Sequence, residues 1–400
     1  MKIFINSKSN VFYNKNRVND NIMNETEEKL EAILQDSLIC DSLSHGPIPW
    51  TSSLKSLTDD MIDQGMNPWD IIPKIVIQFA KNIVQDDTYF EEYKRAWAES
   101  GVDCVSWTVG PLYSTPYSFD GVFHNMSFMT YIFDNRKEFI TKVLSYNDIE
   151  TAKKENKKAV ILNFQSMQHI EENLDLVELY YMQGFRIMQL TYNTRNKVGT
   201  GCTARRDRGL SDFGKDVVNE INKLGALVDI SHCGLETTRD AIEYSEDPVI
   251  ASHTFAKELY EHDRGKPDDI LKSIADKGGY IGVLTVPGFI SNDPEITIEH
   301  WLNHIDYIVN LVGVDYVGIG TDFYGFSVPD NLAEKIAEFI DKLGFRPEHK
   351  ASFLDKMKGF ENYRKFTNLL KGLIERGYSE EDIIKISGKN FLRVFKDTVG

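Results

Sequence analysis

Two short β-rich runs in this chain, residues 226–230 and 248–251, run into the same dipeptide, Ser231–His232 and Ser252–His253. The twenty residues between the histidines suit one crossover helix, which makes the stretch a strand-helix-strand unit with parallel strands. Both imidazoles then leave the carboxyl ends of neighbouring strands. Such strands lie about 4.8 Å apart, so both rings can reach one metal ion, whose nitrogen ligands sit at roughly 2.0–2.1 Å. The competing reading is an ordinary hydrogen-bonded histidine at each strand end. Repetition of the same context one crossover apart weighs against it.

The alternation of this unit extends along the chain. Apolar runs near Ser37, Val102, Ala159, Ile187, Ala226, Pro248, Tyr280 and Tyr316 read as eight strands, with helical segments between them. Among the predicted helices are 25–35, 148–158, 174–182, 211–224 with Ser211 as its N-cap, 267–277 and 298–311. Helical patterning over 60–93 is expected to break at Pro68 and Pro73, and 111–129 shows no period, as a loop over a pocket or a packed excursion would. Eight β-α repeats without a Pro/Ser-rich linker suggest one (β/α)₈ TIM barrel over residues 1–400, with an N-terminal extension over about 1–35 and a helical closure over about 331–400. A doubly wound open sheet is the alternative, but no Gly-x-Gly-x-x-Gly follows the first strand.

Composition narrows the partners. At 400 residues and 42% hydrophobic content the chain buries a large core. A net charge of −16 without a basic stripe argues against nucleic acid and against an anionic membrane. Cys40, Cys104, Cys202 and Cys233 show no CxxC spacing and are too sparse for a disulfide framework, which points to a reducing compartment. The first twenty residues contain no apolar signal core, and nowhere do 18 apolar residues run together, so the expectation is a soluble cytoplasmic protein.

A barrel carries its chemistry on the carboxyl-end loops. The polar residues at the predicted strand ends are His45, Gln165, Tyr192, His232, His253 and Asp322. Asp322 follows an apolar strand in a glycine-containing loop, where a carboxylate can take a proton from water or ligate a cation. Capping of a neighbouring backbone is its structural alternative. Arg264, in the loop after the second histidine, can pair with a substrate carboxylate in bidentate fashion or form a plain surface ion pair. His300 and His304 are four residues apart without the glutamate of an HExxH motif, and read as a helix face.

Several of these segments together resemble the membrane dipeptidase (renal dipeptidase-like) family of metallopeptidases, which belongs with the amidohydrolase-type barrels. They are Leu190-Thr-Tyr-Asn193 with Asn196, Gly209-Leu-Ser-Asp-Phe-Gly214, Leu227-Val-Asp-Ile-Ser-His232, Pro248-Val-Ile-Ala-Ser-His253 and Gly278-Gly-Tyr-Ile-Gly282. Gly318-Ile-Gly-Thr-Asp-Phe-Tyr-Gly325 and Gly388-Lys-Asn-Phe-Leu-Arg393 follow in the family's order.

The resemblance implies a two-zinc hydrolase of dipeptides, with His232 and His253 in the second metal site, Asp322 as the acidic residue of its glycine-rich loop and Arg264 on the substrate carboxylate. The family's first-site His-x-Asp, however, falls on Leu43-Ser44-His45, its bridging glutamate on Gln165, and a further histidine that polarises the scissile carbonyl on Tyr192. Two negative charges are thereby lost from a site that had to hold two dications. The expectation is one Zn²⁺ per chain on His232 and His253, its shell completed from Gln165, Asp322 or His45. Asp322 would be the general base, Tyr192 would donate to the oxyanion, and Arg264, Tyr192 and Asn193 would bind substrate. The expected function is metal-activated hydrolysis of a dipeptide or similar small amino-acid derivative with a carboxylate. The alternative is an altered family member that binds or transforms a small zwitterion without peptide hydrolysis. Barrel proteins of this kind are often dimers, which makes a homodimer one candidate assembly; the sequence does not name the oligomeric state.

Overall fold

The computed structural model describes residues 25–109, 119–323, 328–349 and 355–400. Most of the N-terminal extension, residues 111–118 of the aperiodic stretch, and Tyr324 and Gly325 of the glycine motif lie outside the described residues.

All nine strands among the described residues belong to one parallel sheet: β1 (Cys40–Asp41), β2 (Cys104–Thr108), β3 (Ile140–Lys142), β4 (Lys158–Phe164), β5 (Phe185–Gln189), β6 (Leu227–Asp229), β7 (Ile250–Thr254), β8 (Tyr280–Val283) and β9 (Val317–Ile319). Eight of them, β1-β2-β4-β5-β6-β7-β8-β9, form the staves in sequence order. Backbone bonds from Ser42 N to Ile319 O (3.0 Å) and from Asp322 N to Leu43 O (2.9 Å) bring the last stave back to the first. This is the expected (β/α)₈ barrel, with its crossovers filled by helices.

The ninth strand, β3, has no counterpart in the sequence reading. It pairs with Lys158–Val160 of β4, along the edge that β5 takes over from Leu162 onward. Three residues are too few to show a period of two, which is why it was invisible. Two further expectations are corrected. Pro68 opens the helix Pro68–Gln85 and Pro73 lies inside it, so only Pro68 marks a boundary. Residues Phe119–Asn135 form a helix that buries Val122, Met129 and Ile132. Those positions are spaced seven and three apart, a helical stripe masked by the aromatic and small residues around it.

What positions the site is the layering inside the barrel. At the amino-terminal end, Cys40, Cys104, Ile161, Ile187, Leu227, Ile250 and Tyr280 form an apolar cluster stopped by Phe391, Leu392, Val394 and Phe395 of the last helix, Asn390–Val399. One step nearer the carboxyl ends the interior turns polar. Asn163 Nδ2 donates to Ser106 Oγ at 2.7 Å, and Ser42 Oγ donates to Ser252 O at 2.6 Å. The glycines of β8 and its partner strand make room for that layer: a Cβ at Gly282 would stand 2.1 Å from Ser252 O, and one at Gly320 only 1.8 Å away. Sequence polarity along each strand therefore assigns an apolar, plugged floor and a polar mouth.

Candidate active site

β6 runs straight into Ser231–His232, and β7 contains Ser252 and His253, so both imidazoles stand at adjoining strand ends as the spacing predicts. Their ring centroids are 4.9 Å apart, and both are buried. Each ring is held through Nδ1. His232 Nδ1 lies 2.7 Å from Asn193 Oδ1, and His253 Nδ1 lies 2.8 Å from Ser252 Oγ. Neither Nε2 has a hydrogen-bond partner among the described residues. For His232 the proton is placed by its neighbour: Asn193 Nδ2 donates to Leu343 O at 2.8 Å, so Oδ1 faces the ring and accepts from Nδ1–H. Its Nε2 is then a lone pair. Burial, followed by the Arg264 charge, holds both imidazoles well below the usual histidine pKa, so both are neutral at pH 7.

Tyr192 stacks on His232 at 4.1 Å and 26°. Burial, with Asp322 adding to it, raises the pKa of its phenol and keeps it protonated. Arg264 is fully buried behind the histidines; Nη1 donates to Ser231 O at 2.6 Å and Nη2 to His253 O at 3.3 Å, while Nε has no partner among the described residues. Two of its five N–H bonds are thus spent on the strand ends. Lys266, also buried, donates to Cys233 O at 2.7 Å and Thr238 Oγ1 at 3.0 Å, and burial pushes its pKa down to about 8.

Asp322 approaches from β9. It is one of three non-glycine residues with positive φ among the described residues, at 56°, a conformation that asparagine and aspartate tolerate best. Its carboxyl is half-buried and pushed up to about 7, mainly by desolvation, with Asp41 reinforcing and Arg264 opposing the shift. On the β1 side, Leu43 is buried and His45 stands edge-on to Trp107 at 5.5 Å, its pKa pushed down to about 4 by burial. Gln165 Nε2 donates to Thr108 Oγ1 at 3.1 Å, which leaves Oε1 as its only atom able to meet a cation. Among the described residues no group of three or more His, Cys, Asp or Glu side chains is arranged to hold a metal ion.

A model of the membrane dipeptidase family, peptidase family M19, matches residues 78–356 and 352–399. The chain belongs to that family. It is 32% identical over 242 residues to an uncharacterized dipeptidase of Schizosaccharomyces pombe, a stretch that is 60% of this chain and 53% of the relative. It is 27% identical over 269 residues to the dipeptidase tcpJ of Claviceps purpurea, covering 66% of this chain and 56% of that one. The chain therefore spans about half the length of these curated relatives. Among solved structures, an amidohydrolase of Pseudomonas aeruginosa superposes with a TM-score of 0.70 at 28% identity, over 92% of this chain and 98% of that one. The probable dipeptidase PvdM of the same species shares the fold at 0.71 and 18%, over 95% and 98% of the two chains.

In this membrane dipeptidase family member the mouth gathers His232, His253, Tyr192, Asn193 and Arg264 into one contacting set, with Asp322 electrostatically coupled to Arg264 and Tyr192. Asn193 stands behind His232 with both ends of its amide committed, the position of a support. His45 and Gln165 lie on the β1 and β4 side, against Trp107 and Thr108. Three contributors escaped the sequence reading. Asp229 accepts from both Ser231 and Ser252; Asp41 ties β1 to the loop after β9 through Thr321 N (2.9 Å) and Thr321 Oγ1 (2.6 Å), and to the 3-10 turn Tyr363–Lys365 through Tyr363 OH (3.0 Å); Lys266 is a buried ammonium. For Asp229 the signal was available: it lies two residues before Ser231, on the same face of a strand whose other face is apolar. No helix among the described residues is long and apolar enough to cross a membrane.

Proposed function

We propose that this chain is a metal-dependent hydrolase of the amide bond in a dipeptide or similar small amino-acid derivative, working with one cation on His232 and His253. The observation that carries this reading is the pair of buried Nε2 atoms, both without a partner among the described residues, at adjoining strand ends of a membrane dipeptidase family barrel. An unpartnered buried polar atom is costly, and two neutral imidazoles side by side suit a borderline-soft dication. Gln165 Oε1 and solvent are the remaining donors for its shell. When bound there, Zn²⁺ supplies Lewis acidity to water and to the scissile carbonyl.

The chain's own residues supply the rest. Asp322, with a carboxyl near neutrality, accepts the proton of the attacking water and returns it to the leaving amine. Tyr192, kept protonated, donates a hydrogen bond to the oxyanion that develops on the carbonyl. Among the described residues Arg264 Nε has no partner, and it is the donor offered to a substrate carboxylate entering beside the histidines.

Metal content per chain tests the reading. One equivalent that is lost in His232→Ala, together with hydrolysis of a dipeptide panel, supports it. Two equivalents would show that Leu43 and Gln165 do not prevent a second site. No metal and no hydrolysis would favour the second reading, a binder of small zwitterions, which the lack of a third clustered ligand among the described residues already recommends.

A further inference from the structure

Each histidine follows a serine, and both serines converge on one carboxylate. Asp229, 1% exposed, accepts on Oδ1 from Ser231 Oγ (2.6 Å), Ser231 N (3.0 Å) and Ser252 N (3.1 Å), and on Oδ2 from Ser252 Oγ (2.5 Å). A serine has a single hydroxyl hydrogen. Once Ser252 gives it to Asp229, its Oγ can only accept from the imidazole 2.8 Å away, so Nδ1 of His253 carries the ring proton. Ser231 acts on the same residue through the backbone, its Oγ accepting from His253 N at 3.1 Å. The two serine oxygens are 3.1 Å apart, a contact once both hydrogens point at the carboxylate.

We propose that Asp229 is a positioning residue that sets the tautomer of His253, working through Ser252, and thereby leaves the ring's lone pair on Nε2. The reading of these imidazoles as metal ligands gives this tautomer its consequence, since ligation needs an unprotonated Nε2; the tautomer itself is a property of the metal-free chain. In Asp229→Asn the carboxamide offers one oxygen and a donating nitrogen in place of two acceptors. Ser252 then accepts from the amide and donates its own hydrogen to Nδ1, and the ring proton moves to Nε2. His232 is an internal control, because its tautomer is set by Asn193 and Leu343.

The test is two-bond ¹H–¹⁵N NMR of the full chain, free of metal and labelled at histidine, with signals assigned by loss in His232→Gln and His253→Gln. Wild type should show both rings as Nδ1–H, and Asp229→Asn should move His253 alone to Nε2–H. A wild-type His253 in the Nε2–H form, or an unmoved His253 in folded Asp229→Asn, overturns the proposal. If Asp229→Asn does not fold, Ser252→Ala serves instead: removing the one acceptor at Nδ1 among the described residues should leave His253 as a mixture of tautomers, and a pure Nδ1–H form there overturns it equally. Expected tautomers in a chain that binds no metal would sink the metal reading while leaving the role of Asp229 intact.

Discussion

The two sides of the barrel mouth are built on different terms. On the β6–β7 side each histidine is held by a residue that is itself held: His232 by Asn193, which is anchored on Leu343 O, and His253 by Ser252, which is anchored on Asp229. On the β1–β4 side the corresponding positions carry a buried leucine, a histidine against an indole and an amide turned toward Thr108. The one fully buried carboxylate there, Asp41, spends its acceptors on Thr321, Tyr363 and Leu43, tying β1 to the loop after β9. The difference teaches that a ligand position needs a supporting partner as much as a suitable side chain. Among the described residues, one half of the rim keeps two imidazole nitrogens without a partner, and the other has turned its polar groups to structural work.

Removing a ring on the β6–β7 side should do the most damage. His232→Ala or His253→Ala should weaken metal binding by more than about 100-fold, beyond the 10–100-fold typical of outer partners, as read by competition with a chelating dye. Rebuilding the other side is the converse: Leu43→His, His45→Asp and Gln165→Glu together should raise metal content from one equivalent to two, and an unchanged content would mean that those substitutions are not what sets the number. Asn193→Ala should cost about 10–100-fold in metal affinity, because His232 loses the acceptor that orients it.

Lys266 gives a pH-dependent test of the same side. Its folded pKa, about 8, lies below the unfolded value of about 10.4, so the unfolded chain binds more protons between the two. This group's contribution to stability is fully present above about pH 10.4 and is lost as pH falls toward about 8, a swing of about 3 kcal/mol. Urea unfolding of Lys266→Met should lack that rise. The smallest effect is expected from Gln165→Ala: its Oε1, oriented by the bond from its amide nitrogen to Thr108, is a neutral shell donor that solvent can replace, so metal affinity should fall by about tenfold or less.

Much of this was legible in the residues. The short apolar runs place all eight staves, and the Ser-His repeats place both imidazoles at adjoining strand ends, because run length and crossover length are local properties of a chain. Ser211 caps its helix as read, its Oγ accepting from Gly214 N at 2.9 Å. The β3 strand and the helix Phe119–Asn135 were not legible, the first for brevity and the second for its composition.

By itself the sequence determined the barrel and the rim positions of its polar residues, since both follow from spacing along the strands. Only the tertiary structure decided which nitrogen of each imidazole carries the proton. That choice rests on Leu343, 150 residues from Asn193, and on a carboxylate shared between two strands. A ring with two nitrogens takes its tautomer from the partner it meets in space, and contacts of that reach leave no period in the chain.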